Sequence, residues 1–196
     1  MEEYLIEERL DIDKHFREVS NFSCGHEPLD LFLNSESFKY NEDGQGNTYL
    51  IKLKSTNEIV GYYTLKTNAI QAYNENEKRV EALPSIEIAR LAVNHKYREN
   101  GFGTTIFTYY IIPKINNMKS IVGINTIMVF VEDEEIEDYE KKEKKQVKYF
   151  YRTLGFKLAE DEVQQFIRDD YNEGCKLMYM STSELNEIEE EINDKH

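Results

Sequence analysis

The stretch Leu91-Ala92-Val93-Asn94-His95-Lys96-Tyr97-Arg98-Glu99-Asn100-Gly101-Phe102-Gly103-Thr104 carries the densest chemical information in the chain. It follows an apolar run, Ile86 to Val93, that begins after Pro84 and ends at the polar Asn94-His95-Lys96, the pattern of a mostly buried strand. Beyond Gly101 and Gly103, the spacing of Ile106, Phe107, Tyr110 and Ile111 places apolar residues on one face of a helix. A strand that turns through glycines into a helix offers unpaired backbone N–H groups and the positive end of the helix dipole to an anion. Glycine also removes the Cβ that would hold a phosphate away from the backbone. The loop has no GxxxxGK[ST] lysine and lacks the first glycine of GxGxxG, which excludes a P-loop and a Rossmann dinucleotide site. Taken alone, the Arg98 to Gly103 pattern serves equally well as a tight strand-to-helix turn with no ligand.

Upstream, Tyr4 to Arg9 mixes apolar and charged residues as a half-exposed strand does, and Asp11 to Ser20 turns polar. Pro28 suits a first helical turn, and Leu29, Leu31, Phe32 and Leu33 predict a helix that ends before the loop Asn41-Glu42-Asp43-Gly44-Gln45-Gly46-Asn47. Thr48 to Leu53 and Ile59 to Leu65, on either side of Ser55-Thr56-Asn57, predict a β-hairpin, and Tyr73 to Arg79 is polar. Downstream, Pro113 is expected to kink or end the helix after Gly103. Ile124 to Val131 reads as the next buried strand. Acidic Glu132 to Asp138 and basic Lys141 to Lys145 then lead into a helix with Val147, Phe150, Tyr151 and Leu154, stopped at Gly155. Lys176 to Met180 predicts a last strand, and Ser181-Thr182-Ser183-Glu184 has capping-box spacing ahead of a short helix carrying Leu185, Ile188 and Ile192. The order is a mixed α/β layout, with residues 1–181 as one domain and 182–196 as an acidic helical extension.

With 196 residues, 40% of them hydrophobic, and 14 Tyr with 10 Phe, the chain can bury a substantial core and is not disordered. Its 38 acidic against 24 basic residues give a net charge of -14, a field that repels phosphate backbones and anionic membranes and attracts cationic amines. Cys24 and Cys175 stand far apart with no ligand spacing around them, so no disulfide framework and no metal site are expected. The opening Met1-Glu2-Glu3 has no basic leader, and no apolar run is long enough to span a bilayer. A cytoplasmic protein with no membrane partner is expected. The stripe Leu185, Ile188 and Ile192 is expected to pack on its own domain or on a second copy, which makes a homodimer one of the expectations.

Two landmarks in order carry a family resemblance. Arg98 to Gly103 stands as [QR]xxGx[GA] between a strand and a helix, and Phe150-Tyr151-Arg152-Thr153-Leu154-Gly155-Phe156 stands as FYxxxGF at the end of a later helix. On these the chain resembles the GNAT superfamily of acyl-CoA-dependent N-acyltransferases. Within it the chain is most similar to the branch that includes toxin acetyltransferases acting on aminoacyl-tRNA, through Phe22-Ser23-Cys24-Gly25 leading to Leu29-Asp30 and Phe32-Leu33, then Gly61-Tyr62-Tyr63, then Arg90-Leu91-Ala92-Val93. The acidic C-terminal helix lies outside the resemblance.

The resemblance implies an α/β fold of the α+β type, a splayed mixed β-sheet with helices on both faces, and acetyl-CoA as the acetyl donor between the strands at 86–93 and 124–131. It implies that Arg98, Glu99, Asn100, Gly101, Phe102, Gly103 and Thr104 cradle the pyrophosphate and that the backbone of Leu91, Ala92 and Val93 pairs with the pantetheine amides. Tyr151 is the implied proton donor to the departing thiolate, with Tyr149 as fallback. Glu87 is the implied base working through water, and Arg90 orients the substrate or braces the site. Each also has a plain structural reading: Tyr151 as a core aromatic, Glu87 as a paired charge on a strand face, Arg90 as half of an ion pair. Where toxin-like relatives usually carry glycine and a basic residue, this chain has Glu99 and Asn100. The expected function is acetyl transfer to a primary amine on a small molecule or peptide. Alternatives are a toxin-like aminoacyl-tRNA acetyltransferase, disfavoured by the charge, and a catalytically silent fold that senses CoA or binds protein.

Overall fold

Three strands near the N-terminus, the second and third rich in β-branched and aromatic residues, pair in sequence order. In the computed structural model, which describes residues 2–74, 78–132, 150, 153–159 and 175–185, β1 (Leu5–Arg9) lies antiparallel to β2 (Asn47–Leu53), and β2 to β3 (Ile59–Asn74). The strands β4 (Arg79–Val93), β5 (Thr126–Glu132), β6 (Lys157–Leu158) and β7 (Cys175–Ser181) complete a seven-stranded sheet in the order β1-β2-β3-β4-β5-β7-β6. The sheet is mixed, because β4 and β5 run parallel while β7 is antiparallel to both β5 and β6. The chain forms two compact units, one of Met1–Lys66 and Ile88–Ile115, the other of Thr67–Glu87 and Asn116–His196.

In the first unit, successive residues of β3 send their contacts to opposite faces of the sheet, as the two-residue period requires. The Tyr62 hydroxyl donates to the Leu29 carbonyl (2.8 Å), and its ring meets Phe22 edge-on at 5.4 Å. These contacts seat α2 (Glu27–Leu31), a π turn (Phe32–Glu36) and α3 (Ser37–Glu42) on one face. On the other face, a Cβ at Gly61 would stand 2.6 Å from the Ala92 carbonyl oxygen and 2.8 Å from Ile106 Cδ1. Only glycine allows that approach, which brings the helix after residue 102 down onto the strands. In the second unit the β5–β7 ladder runs from Thr126↔Ser181 to Glu132↔Cys175 over a core of Ile70, Met128, Ala159 and Leu177. Its last strand ends in a reciprocal cap: the Ser181 N–H donates to Glu184 Oε2 (2.9 Å) and the Ser183 N–H to Ser181 Oγ (3.1 Å).

Several local readings of the sequence change: β3 and β4 extend well beyond Ile59 to Leu65 and Ile86 to Val93, with Pro84 inside β4, and α3 runs on through Asn41 and Glu42. The polar run Asp11 to Ser20 contains α1 (Ile12–Val19), whose N-cap Asp11 accepts from the Asp13 and Lys14 amides at 3.0 and 3.2 Å. The helix buries only His15 and Val19 and leaves Ile12 and Phe16 exposed, so its apolar stripe is short and easily lost among charges. Pro113 does not end its helix. A π turn at Phe107–Ile111 follows α4 (Phe102–Ile106), and α5 (Ile112–Lys119) continues past the proline. Widening the turn just ahead of Pro113 makes room for its ring and absorbs the missing N–H. The segment Val147 to Tyr149 and Ile188 and Ile192 lie outside the described residues.

At the bulge between Ile51 and Lys52, β2 turns a lysine inward. The Lys52 side chain is 1% exposed and its ammonium lies 3.1 Å from Glu8 Oε2 and 2.7 Å from Glu18 Oε2. Glu8 also accepts from His15 Nε2 (2.7 Å), whose Nδ1 takes the Asp11 N–H (3.0 Å), so the ring proton sits on Nε2. Hydrogen bonds from His15 and then Lys52 hold the Glu8 carboxyl below the usual glutamate range. Replacing Lys52 with methionine leaves two carboxylates facing each other; because both are partly in water, the expected loss is about 2 kcal/mol in urea unfolding rather than the larger cost of a dry pair. The Glu8 contribution is fully present above the unfolded glutamate pKa and disappears as pH falls through the lowered folded value, so Lys52→Met should flatten the acid limb of a stability profile against pH. A variant as stable as the parent at neutral pH would remove Lys52 from this role.

Candidate functional site

β4 ends at Val93, and the backbone at once leaves the sheet. Asn94, 4% exposed, pins the exit: its N–H donates to the Val60 carbonyl (2.8 Å) and its Oδ1 accepts the Lys96 amide (3.1 Å). A single 3-10 turn, His95–Tyr97, leads to extended Arg98, and the backbone then enters the left-handed region at Glu99 (φ 64°) and again at Gly101 (φ 76°). The helix begins at Phe102, where the Thr105 N–H takes the Gly101 carbonyl (3.0 Å). The backbone N–H groups of residues 99 to 103 lie in the turn that opens the helix, ahead of its first regular hydrogen bond. Left-handed steps on either side of Asn100 gather backbone N–H groups ahead of the helix end, a concavity suited to a phosphate. Arg98, Glu99, Asn100 and Gly101 are exposed, and Phe102, Gly103 and Thr104 are partly buried. Of the strand residues ahead of the loop, Ala92 is buried and Leu91 and Val93 half-buried.

Glu87 sits in the second unit, 2% exposed, and its Oε2 accepts from Asn68 Nδ2 at 2.6 Å. The parallel ladder between β4 and β5 runs from Ser85↔Thr126 to Glu87↔Met128, so this carboxylate stands at its last pair while β4 continues to Val93. Arg90 belongs to the first unit: its guanidinium lies 4.8 Å from the centre of the Phe32 ring, and its Nη1 donates to the Ala89 carbonyl (2.6 Å). That places Arg90 as a cation over an aromatic face rather than in an ion pair among the described residues. Tyr151 and Tyr149 lie outside the described residues. Their neighbours do not: Phe150 packs edge-on against Phe156 (5.5 Å), the Phe156 N–H takes the Phe150 carbonyl (3.0 Å), and Gly155 has the left-handed φ of 78° that ends a helix.

Sequence reading missed two residues that the structure brings to these groups. Asn68, the partner of Glu87, lies on the far part of β3, beyond the hairpin that the sequence outlines. Asp30 is legible only as part of a motif, yet it organises the loop facing Arg98. Although burial opposes it, hydrogen bonds from the Cys24 amide, the Ser23 hydroxyl and the Gly25 amide hold the Asp30 carboxyl below the usual aspartate range. Cys24, 2% exposed, is pushed up to about 12 by burial and by the adjacent Asp30 carboxylate, so its thiol stays protonated at neutral pH.

The chain belongs to the acetyltransferase (GNAT) family, whose model matches residues 10–156. It is an acetyltransferase domain on a mixed sheet with helices. Its fold is shared with solved structures of low identity. A tyrosine-to-phenylalanine mutant of the AtaT toxin, bound to the C-terminus of the antitoxin AtaR and acetyl-CoA, is 20% identical over 94% of this chain and 97% of that one, with a TM-score of 0.70. A tyrosine-to-phenylalanine mutant of KacT is 19% identical over 94% and 99%, with a TM-score of 0.68. AtaT complexed with acetyl-methionyl-tRNAfMet is 20% identical over 94% and 98%, with a TM-score of 0.67.

A left-handed backbone costs an L-residue with a side chain on the order of 1 kcal/mol that glycine does not bear. Glu99→Gly is therefore expected to raise unfolding stability by about 1 kcal/mol, and Gly101→Val to lower it by at least as much, in equilibrium urea titrations. A destabilised Glu99→Gly would mean that the carboxylate is doing structural service in the loop.

Proposed function

We propose that this protein transfers the acetyl group of acetyl-CoA to a primary amine, with the pyrophosphate seated on the N–H groups of residues 99 to 103. The observation that carries this reading is the turn that steps left-handed at Glu99 and again at Gly101 as it opens a helix directly after β4. Acetyl-CoA fits such a seat, since its diphosphate needs backbone donors and no lysine. When bound it supplies an activated thioester carbonyl. The strand backbone of Leu91 to Val93 is positioned by Asn94 and Gly61 to pair with the pantetheine amides. Glu87, held by Asn68, accepts the ammonium proton of the incoming amine through water, and a neutral amine fixed close to the thioester needs little further help. Tyr151 gives its hydroxyl proton to the departing sulfur. The FYxxxGF landmark supports that role.

A net charge of -14 favours a cationic acceptor, a polyamine or a basic peptide, over RNA. Charged tRNA is kept as a second reading because AtaT has been solved with acetyl-methionyl-tRNAfMet on the same fold. Two unbridged cysteines, Cys24 and Cys175, suit a cytoplasmic site of action.

The test is acetyl-CoA binding by calorimetry and thermal shift at low and high salt. Micromolar affinity and a rise in melting temperature are expected, and no binding at millimolar cofactor would leave a silent fold. With an acceptor found from a panel of polyamines, basic peptides and charged tRNA, Tyr151→Phe is expected to lower kcat about a hundredfold while acetyl-CoA affinity stays put. Unchanged kcat would take Tyr151 out of the chemistry. Glu87→Gln, by contrast, should cost activity chiefly at low pH, where the ammonium proton is hardest to remove; a uniform loss across pH would point to a structural role.

A further inference from the structure

Phe22-Ser23-Cys24-Gly25 and Asp30 take no part in the chemistry above, yet the phosphate loop is tied to them. Asp30 Oδ1 accepts the Cys24 N–H (2.6 Å), and Oδ2 accepts the Ser23 hydroxyl (2.7 Å) and the Gly25 N–H (3.3 Å). One carboxylate thus collects the donors of a turn that closes through left-handed Gly25 (φ 74°). With those donors drawn toward Asp30, the carbonyls of Ser23 and Cys24 point the other way. Ser23 O accepts the His95 N–H (3.0 Å) and lies 2.8 Å from His95 Nδ1, which must carry a proton to meet a carbonyl. Cys24 O accepts from Arg98 Nη2, and a Cβ at Gly25 would stand only 3.7 Å from that nitrogen. Arg98 is the residue immediately before the left-handed step at Glu99. Its anchored side chain therefore ties down the residue from which the left-handed turn departs.

We infer that Asp30 is a positioning residue for the anion cradle, acting through the Ser23 and Cys24 carbonyls on His95 and Arg98; the identity of the anion as acetyl-CoA rests on the function proposed above. Arg98, in the same scheme, binds the protein and aims the loop rather than contacting the cofactor with its guanidinium. Ser23, Gly25 and Asp30 together hold the turn whose two carbonyls meet one histidine and one arginine.

The experiment is a double-mutant cycle on full-length protein, with acetyl-CoA affinity read by calorimetry for the parent, Asp30→Asn, Arg98→Ala and the pair. Each single change is expected to weaken binding about tenfold, the worth of a lost charge-assisted hydrogen bond. The pair should bind no more than about twofold worse than the weaker single, since both changes cut one linkage. Losses that multiply, or parental affinity in Asp30→Asn, overturn the proposal. Should Asp30→Asn fail to fold, Ser23→Ala removes one of the three donors and is expected to weaken binding severalfold with the melting temperature little changed; a lowered melting temperature with parental affinity overturns it. A second readout needs no cofactor: in Asp30→Asn, hydrogen exchange at the His95 amide should accelerate while that of Leu50 in the sheet does not. If the parent binds no acetyl-CoA and His95 exchange still accelerates, the acetyl-CoA reading falls and the positioning role stands. Unchanged exchange at His95 removes the positioning role whatever the ligand.

Discussion

A left-handed backbone is sterically costly, and residues 99 to 103 adopt it twice in an exposed turn that opens a helix. Much of the first unit is organised around that turn. β4 has to stop, which Asn94 arranges by diverting the chain with bonds to Val60 and Ile59. The backbone must turn left-handed twice before a helix can start, and the helix must then be pressed onto the strands, which requires Gly61 to have no side chain.

How much of this could be read from residues depended on the range of the interaction. The strand, the glycine loop and the helix after it were legible because each is a local pattern of periodicity and backbone freedom. The hairpin and the Ser181 to Glu184 cap were legible for the same reason. α1 was not, because its stripe buries only His15 and Val19 and its remaining apolar residues face water. Pro113 misled because the rule that proline ends helices assumes a regular α-turn upstream, and here a π turn precedes it. Asn68 and Asp30 were invisible as functional residues: their partners, Glu87 and Arg98, lie 19 and 68 positions away or are reached through another carbonyl, a relation no spacing rule encodes. The role given to Tyr151 rests on its motif alone.

Electrostatically, two lysines of the first unit are well attended. Lys52 is enclosed by Glu8 and Glu18, and Lys114 meets Glu7 at 2.6 Å while lying 4.0 Å from the Tyr49 ring centre. Tyr63 donates to the same Glu7, so one carboxylate gathers a lysine of α5 and a tyrosine of β3 on the helix side of the sheet. These inward pairs leave the acidic excess of the chain to the surface. That excess draws in cations over a long range and opposes anions such as a diphosphate, which only short-range contacts hold against it.

The thiol of Cys24 gives the motif loop a built-in chemical clock. Buried and held protonated beside Asp30, it reacts with an alkylating reagent only when the Ser23 to Gly25 turn opens, whereas Cys175 on β7 is partly exposed. Alkylation at Cys24, counted by mass against Cys175 in the same molecule, thus reports the opening rate of the turn that aims the phosphate loop. Cofactor binding that steadies the loop would register there as slower labelling.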